Sequence, residues 1–325
     1  MTVPVFPFLR FLSDGRSHAF DEIRQQLGLS QACVSEVLDS LASAGLEIEI
    51  NEQTGCRLLT PFCALNVAQV ERFLGDKAHL FSIEVVDQTG STNEDLMLRA
   101  RQGAAGGLVR VAEEQSAGRG RRRRRWVSAL GGTLTFSLLW NFDEAASALS
   151  SLSLAVGVSL VRSLQTMGLQ GVQLKWPNDL LWQQRKLGGI LIESIARPAG
   201  GISAVIGIGI NLRLLKPVTD LIDQPTADLG SAGVHVDRNR LLARVLSDLS
   251  DVLGTYSRNG FGALRAEWQR AHAYQDKMVA IEMSGEIQLD GRALGVDETG
   301  ALLVQTAEGT RTVHSGELSL RLKAG

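Results

Sequence analysis

Along the first 65 residues, apolar positions recur at helical spacing. Phe20-Asp21-Glu22-Ile23-Arg24-Gln25-Gln26-Leu27 has this pattern and stops at Gly28. Ser30 is placed to cap a second helix from Gln31 to Ser43, with Val34, Val37, Leu38 and Leu41 on one face. Two helices joined by a Gly-Leu-Ser turn form a helix-turn-helix pattern spanning Glu22 to Leu41. Beyond Gly45 the period changes to two in Leu46-Glu47-Ile48-Glu49-Ile50, Asn51 to Gly55 turns, and Cys56 to Leu59 returns. The pattern predicts a winged helix-turn-helix unit over residues 1–65.

Residues 66–272 predict a larger unit. Ser91-Thr92-Asn93-Glu94 reads as a capping box opening a helix through Leu96, Leu98 and Ala100. Leu108 to Ala112 and Thr133 to Trp140 read as strands, and Ala148 to Met167 as a buried helix. A meander follows: Gln173 to Trp176, a Pro177-Asn178 turn, Leu180 to Trp182, Leu187 to Ile195, an Arg197-to-Gly201 turn, and Ile202 to Leu212. Such short connections favour antiparallel pairing. Amphipathic helices near Arg240 to Tyr256 and Phe261 to His272 close the unit. Over residues 273–325, short strands alternate with turns at Ser284-Gly285, Asp290-Gly291, Glu298-Thr299-Gly300 and Glu308-Gly309, as in a small β-barrel or sandwich. The fold class expected is α+β, in several domains.

The chain's 325 residues suit two or three domains. The longest uncharged stretch, between Glu144 and Arg162, is broken by serines and falls short of a bilayer span. The start lacks a basic region and a cleavage site, so no signal peptide is expected. Cys33, Cys56 and Cys63 form no CxxC pair, which fits a reducing cytoplasm and supports neither a zinc site nor a disulfide framework.

Charge changes the picture. Net charge is -2, but Arg119, Arg121, Arg122, Arg123, Arg124 and Arg125 lie within seven positions; without them, 27 basic residues face 35 acidic ones. So dense a run is expected to be disordered until an anion joins it. A bare Arg run reads as a solvated loop or nucleic-acid patch. Here glycines at 118 and 120 let main-chain amides approach a ligand, guanidinium groups grip phosphate or carboxylate, and Trp126 can stack on a base. That combination suits a nucleotide. The amino-terminal unit is acidic: Arg10, Arg16, Arg24 and Arg57 face Asp14, Asp21, Glu22, Glu36, Asp39, Glu47, Glu49 and Glu52. Its second helix carries no Lys or Arg, which weighs against DNA binding.

There is no P-loop, HExxH or nucleophile elbow. Lys186 opens an apolar strand, Gln115 and Asn211 close others, and Lys175-Trp176-Pro177-Asn178-Asp179 puts an acid and an amide at a tight turn. Singly, these are ordinary surface lysines, strand ends and Asx turns. Together they are polar groups around one anion-seeking loop, the usual build of a small-molecule site.

With these motifs the chain resembles biotin–protein ligases fused to a biotin-operon repressor domain. The matching stretches are Ser91-Thr92-Asn93, Gln115 with Gly118-Arg119-Gly120-Arg121, Lys175-Trp176-Pro177-Asn178-Asp179, Lys186 with Gly189-Ile190-Leu191, Gly207-Ile208-Gly209-Ile210-Asn211 and Ser315-Gly316-Glu317. The resemblance implies three parts: a winged helix, a core with a mixed, largely antiparallel sheet like that of class II aminoacyl-tRNA synthetases, and an SH3-like carboxy-terminal barrel. It implies that biotin and ATP, with Mg2+, give biotinyl-adenylate, and that a lysine of the biotin carboxyl carrier protein of acetyl-CoA carboxylase then takes the biotin. By the same match, Ser91, Thr92, Asn93 and Gln115 line a biotin pocket, and Arg119, Gly120 and Arg121 hold carboxylate and phosphate. Lys186 contacts the reacting oxygens, Trp126 stacks on adenine, Asp179 orients the incoming lysine, and Asn211 serves the nucleotide or its metal. Lys186, Arg121 and Asp179 are the catalytic candidates. An adenylate-bound homodimer on operator DNA is implied too. The family pattern carries Gly where this chain has Arg123, a position where a side chain disfavours positive φ; Arg123→Gly is expected to change adenylate release. Alternative readings are a ligand-sensing regulator without ligase activity, a lipoate-type ligase and a generic nucleic-acid binder.

Overall fold

The computed structural model describes residues 4–51, 53–60, 62–143, 149–198, 200–283, 286–315 and 318–323. The expected turn at 284–285, the motif residues 316–317 and the first residue of the helix expected from 148 lie outside them.

The apolar start forms a helix, α1 (Val5–Phe11), that the sequence reading did not assign. Pro7 is tolerated because first-turn amides have no intrahelical acceptor. Helices α2 (Phe20–Leu27) and α3 (Gln31–Ser43) follow, with Gly28 at φ 65° ending α2 and Ser30 Oγ accepting the N–H of Cys33 at 3.2 Å. An antiparallel hairpin, β1 (Ile48–Asn51) and β2 (Gly55–Leu58), completes the unit. Phe8, Leu9, Leu12, Ile23, Val37 and Leu41 form its core.

This unit is tied to the next. Arg10 makes two hydrogen bonds to the Asp87 carboxylate, and Phe62 lies against Gly131, where a Cβ would meet its ring at 2.9 Å. The connecting chain is clamped by a buried ion pair, Arg238–Glu113. Glu113 Oε1 accepts the N–H of Leu65 at 2.8 Å, and Arg238 donates to the carbonyls of Cys63 (3.1 Å) and Thr133 (3.3 Å). A buried charge is stable only when paired and hydrogen-bonded in this way.

After α4 (Val67–Leu74) comes a seven-stranded sheet: β3 (Ser82–Thr89), β4 (Leu108–Gln115), β5 (Thr133–Phe142), β6 (Val172–Lys175), β7 (Asp179–Trp182), β8 (Arg185–Ala196) and β9 (Ile202–Asn211). Its order is β3-β4-β5-β9-β8-β7-β6. Only β3 and β4 are parallel, bridged by α5 (Thr92–Arg101); the other five pairings are antiparallel. The mixed, largely antiparallel sheet is as expected, although β3 and α4 had no assignment. Helix α5 packs on one face through Leu96 and Ala100 against Leu139 and Val205. The other face is covered by α6 (Leu152–Thr166) and α8 (Arg238–Asn259), with α9 (Gly262–Ala271) beside them; a short α7 (Lys216–Thr219) precedes α8. Strand β9 is buried throughout.

The carboxy-terminal unit has five antiparallel strands, β10 (Met278–Met283), β11 (Glu286–Val296), β12 (Leu302–Thr306), β13 (Gly309–Val313) and β14 (Leu318–Leu322), in the order β13-β12-β11-β10-β14. The turns at 298–300 and 308–309 form as expected. The turn expected at Asp290-Gly291 does not: β11 runs straight through, and Gly291 is needed because a Cβ there would lie 2.3 Å from the carbonyl of Gln305. This glycine permits close approach of two backbones.

The joint with the core is buried. Trp176 Nε1 donates to the carbonyl of Gly300 at 3.1 Å, and the Ala273 N–H to that of Leu174 at 2.9 Å. His272 stacks on Trp268 with centroids 4.6 Å apart. Burial pushes its imidazole down to about 4. The unfolded chain therefore binds a proton on His272 between about pH 6.5 and 4 that the folded chain refuses, and stability falls as pH drops through that window. His272→Phe keeps the stack without the proton. Denaturant unfolding at pH 7 and pH 4 is expected to show a wild-type loss exceeding that of His272→Phe by about 3 kcal/mol.

Candidate active site

Antiparallel pairing brings several strand ends to one end of the sheet. Gln115 closes β4, Thr133 opens β5 opposite Asn211 at the close of β9, and Lys175 closes β6 opposite Asp179 at the start of β7. Lys186 lies near the start of β8. Gln115, Lys175, Asp179, Lys186 and Asn211 surround a cavity of about 500 Å³. Ser91, Thr92, Asn93, Gln115, Arg119, Gly120, Arg121, Trp126, Asp179, Lys186 and Asn211 all line it. Every residue singled out from the sequence for the small-molecule site is therefore gathered in one place.

Ser91 stands at the amino end of α5, but its side chain makes no capping hydrogen bond. The capping-box reading is corrected: Gln115 Oε1 accepts both the N–H of Thr92 (2.7 Å) and its hydroxyl (3.0 Å). Ser91 is thus spared from capping, and it is buried in the cavity wall. Asn93 sits against β9, where a Cβ at Gly207 would lie 2.2 Å from its Oδ1.

The arginine segment is not disordered here, contrary to expectation. It forms a small hairpin: Arg119 bridges Arg125, the Gly120 N–H donates to the Arg124 carbonyl at 2.7 Å, and the Trp126 N–H to the Gly118 carbonyl at 2.9 Å. Main-chain bonds and nearby acids offset the repulsion. Arg119 meets Glu94 (3.1 Å) and Glu193 (3.2 Å), while Arg121 reaches Asn178 Oδ1 at 3.3 Å. The left-handed residue is Arg122, at φ 57° and ψ 36°, and not Arg123. The backbone strain assigned to Arg123 belongs one residue earlier.

Trp126 lies flat on β9. A Cβ at Gly209 would fall 2.3 Å from its ring, and its Nε1 donates to Thr135 Oγ1 at 3.3 Å. Lys186 Nζ is 2.6 Å from Asp179 Oδ1. The Lys186 stem passes over Gly189. Asn211 is buried and donates to the carbonyls of Lys186 (3.2 Å) and Ala227 (3.0 Å), fixing the strand that carries Lys186.

The electrostatics favour an anion. Among the described residues, eight Lys and Arg side chains line the cavity against two acids, Asp179 and Asp223. Burial lowers the pKa of both Arg121 and Lys175. A poorly solvated cation gains most from an anionic ligand. Sequence reasoning gave no separate role to Lys175 or Asn178, although both stand inside the motif it quoted. It also missed Glu193, and Arg321 of β14, which brings the carboxy-terminal unit to the cavity rim. Glu193 follows the Lys186 motif by only a few residues, but nothing local marks it as a partner of Asn93.

Comparison with known proteins agrees with this geometry. Residues 84–211 match the biotin/lipoate A/B protein ligase family, and residues 276–321 the biotin protein ligase C terminal domain. The chain is 32% identical over 320 residues to the bifunctional ligase/repressor BirA of Salmonella typhimurium, covering 98% of each. It is 33% identical over 253 residues to the biotin--[acetyl-CoA-carboxylase] ligase of Mycobacterium tuberculosis, covering 76% of this chain and 92% of that one. The biotin protein ligase of Aquifex aeolicus in complex with biotin and ATP superposes with a TM-score of 0.66 at 30% identity, over 74% of this chain and 99% of that one. With its catalytic and carboxy-terminal segments both matched, and likeness to a curated relative over almost its full length, this chain belongs to the biotin protein ligase family.

Proposed function

We propose that this protein is an ATP-dependent biotin–protein ligase acting on the biotin carboxyl carrier protein of acetyl-CoA carboxylase. The observation that carries the reading is the cavity: a hydrogen-bonding pocket of buried Ser91, Thr92, Asn93 and Gln115 opens directly onto a cationic mouth. Biotin has a polar ureido head and an anionic tail, and that layout suits it. In the first step a biotin carboxylate oxygen attacks the α-phosphorus of ATP and pyrophosphate leaves. Arg121 and Lys186, with Lys175 beside them, offset the repulsion of two anions and the charge that develops. In the second step the amine of the carrier lysine attacks the acyl carbon and AMP leaves. Lys186 and Asp179 are paired before substrate arrives. When phosphate draws Lys186 away, Asp179 is left to take the proton of the incoming amine. Mg2+ would come as the counter-ion of the triphosphate and would offset part of its charge. Among the described residues no group of three or more His, Cys, Asp or Glu is placed to hold it.

The hairpin acts as a lid that keeps water from the anhydride. Its closed form holds Arg122 in the left-handed region, which disfavours a side chain. Trp126 is the candidate platform for adenine, and Asn211 holds the Lys186 strand in place for the nucleotide.

The parts of the reading are a winged helix-turn-helix at 1–65, the catalytic domain at 66–272 and an SH3-like barrel at 273–325. An amino-terminal unit of three helices and a hairpin supports a second role as a repressor, acting as an adenylate-bound homodimer on operator DNA. Among the described residues, β8 has no strand partner on its β7 side from Leu191 onward, which offers an edge for a second copy. Helix α3 carries no cation, and Arg10, Arg24 and Arg57 are each ion-paired within the protein, so DNA affinity is weak. No helix among the described residues is long and apolar enough to cross a membrane.

Mass spectrometry of a carrier domain after incubation with ATP and biotin is expected to show a single biotin added by wild type, and product formation reduced at least about a hundredfold by Lys186→Ala. Unmodified carrier with wild type would refute the ligase. Arg122→Gly relieves the strained φ and is expected to slow adenylate release; equal release rates for variant and wild type would refute strain in the lid. Sedimentation with biotin and ATP is expected to give a dimer, and an unchanged monomer would refute the pairing.

A further inference from the structure

The floor of the cavity contains a row of hydrogen bonds whose protons can be counted. At one end, the main-chain N–H of Thr92 can only donate, so Gln115 must turn its Oε1 toward Thr92, at 2.7 Å. At the other end, Asn93 Nδ2 lies 2.8 Å from Glu193 Oε2 and 3.4 Å from the carbonyl of Leu191. A carboxylate and a carbonyl only accept, and the Glu193 carboxylate is itself held by Arg119. Asn93 must therefore turn its Oδ1 toward Ser137. Between these two terminal oxygens stand the hydroxyls of Thr92 and Ser137. The contacts are 3.0 Å from Gln115 to Thr92, 2.7 Å from Thr92 to Ser137, and 2.6 Å from Ser137 to Asn93.

Two hydroxyl protons thus serve three contacts, and one contact always sets oxygen against oxygen with no proton between. Turning the Asn93 amide over would fill all three, because Nδ2 would donate to Ser137, Ser137 to Thr92 and Thr92 to Gln115. It would also aim Oδ1 at Glu193 and the Leu191 carbonyl. The shortage has a remedy from outside: an N–H donated to one terminal oxygen serves that oxygen in place of its hydroxyl neighbour, so both hydroxyl protons can point toward the other end and no terminal oxygen is left without a donor. Gln115 and Asn93 both line the cavity.

We propose that Glu193 is a positioning residue which locks the Asn93 amide, keeps the pocket floor one proton short, and so selects ligands that bring an N–H donor. The inference rests on the ligase reading, in which the donor is the ureido group of biotin. Glu193→Gln lets the amide turn over, since glutamine can donate to Asn93 Oδ1, while Arg119 keeps Glu94.

The test is biotin-dependent pyrophosphate release by the full chain, with KM measured for ATP, for biotin and for the two singly N-methylated ureido analogues. Wild type is expected to prefer biotin over at least one analogue, and Glu193→Gln to narrow that preference about tenfold with the KM for ATP unchanged. Steric exclusion of the methyl group is common to both proteins and cancels in the comparison. Ser137→Ala removes the shortage from the middle of the row. It is expected to narrow the same preference by itself and to make Glu193→Gln silent in the double variant, so it serves as the test if Glu193→Gln fails to fold. An unchanged preference, a shift confined to the KM for ATP, or a full Glu193→Gln effect in the Ser137→Ala background would each overturn the proposal. Wild type that releases no pyrophosphate with biotin removes the functional reading and this inference together; active wild type with an unchanged preference removes this inference alone.

Discussion

Strand β9 sets the terms for the rest of the molecule. Its run Ile206-Gly207-Ile208-Gly209-Ile210 alternates between two demands. The isoleucines enter the main core, and the glycines leave the opposite face bare. On that bare face Asn93 and Trp126 lie directly on the backbone, closer than any Cβ would allow. A strand with side chains on both faces would fill the space that becomes the cavity. Period two does double work here: the same residues that bury one face supply the room for chemistry on the other.

The cationic character of the site is arranged with similar economy. Several of the positive groups are already partnered. Arg119 is held by two carboxylates, Lys186 by Asp179, and Arg121 meets an amide. These contacts hold an otherwise repulsive hairpin together in the absence of an anion. They also set up exchanges of partner, because a phosphate competes better for a poorly solvated cation than a shared carboxylate does. Binding then redistributes contacts that already exist.

Much of this architecture could be read from the residues. The strands with strong alternation or continuous apolar runs, β5, β8 and β9, were recognisable because burial leaves a periodic record. Strand β3 was not, since Ser82–Thr89 is an edge strand whose sequence mixes charged and apolar residues. The glycines misled in one place: Gly291 looks like a turn and serves a close crossing. At the site, the motif residues were legible as a set, because their chemistry is unusual for strand ends. The partner relations were not. Asn93 and Glu193 are a hundred residues apart in sequence, and Gln115 meets Thr92 only after β4 and α5 have packed. The capping-box pattern at Ser91 fits the local rule, and the tertiary fold overrides it.

Strand β4 links two structures that seem unrelated. Glu113 anchors the chain leaving the amino-terminal unit, and Gln115, two residues on, lines the cavity and holds Thr92. About 7 Å of extended backbone separates them. The tether and the cavity wall thus hang from one rigid rod, so a force that twists the amino-terminal unit is delivered to that wall through only two peptide planes.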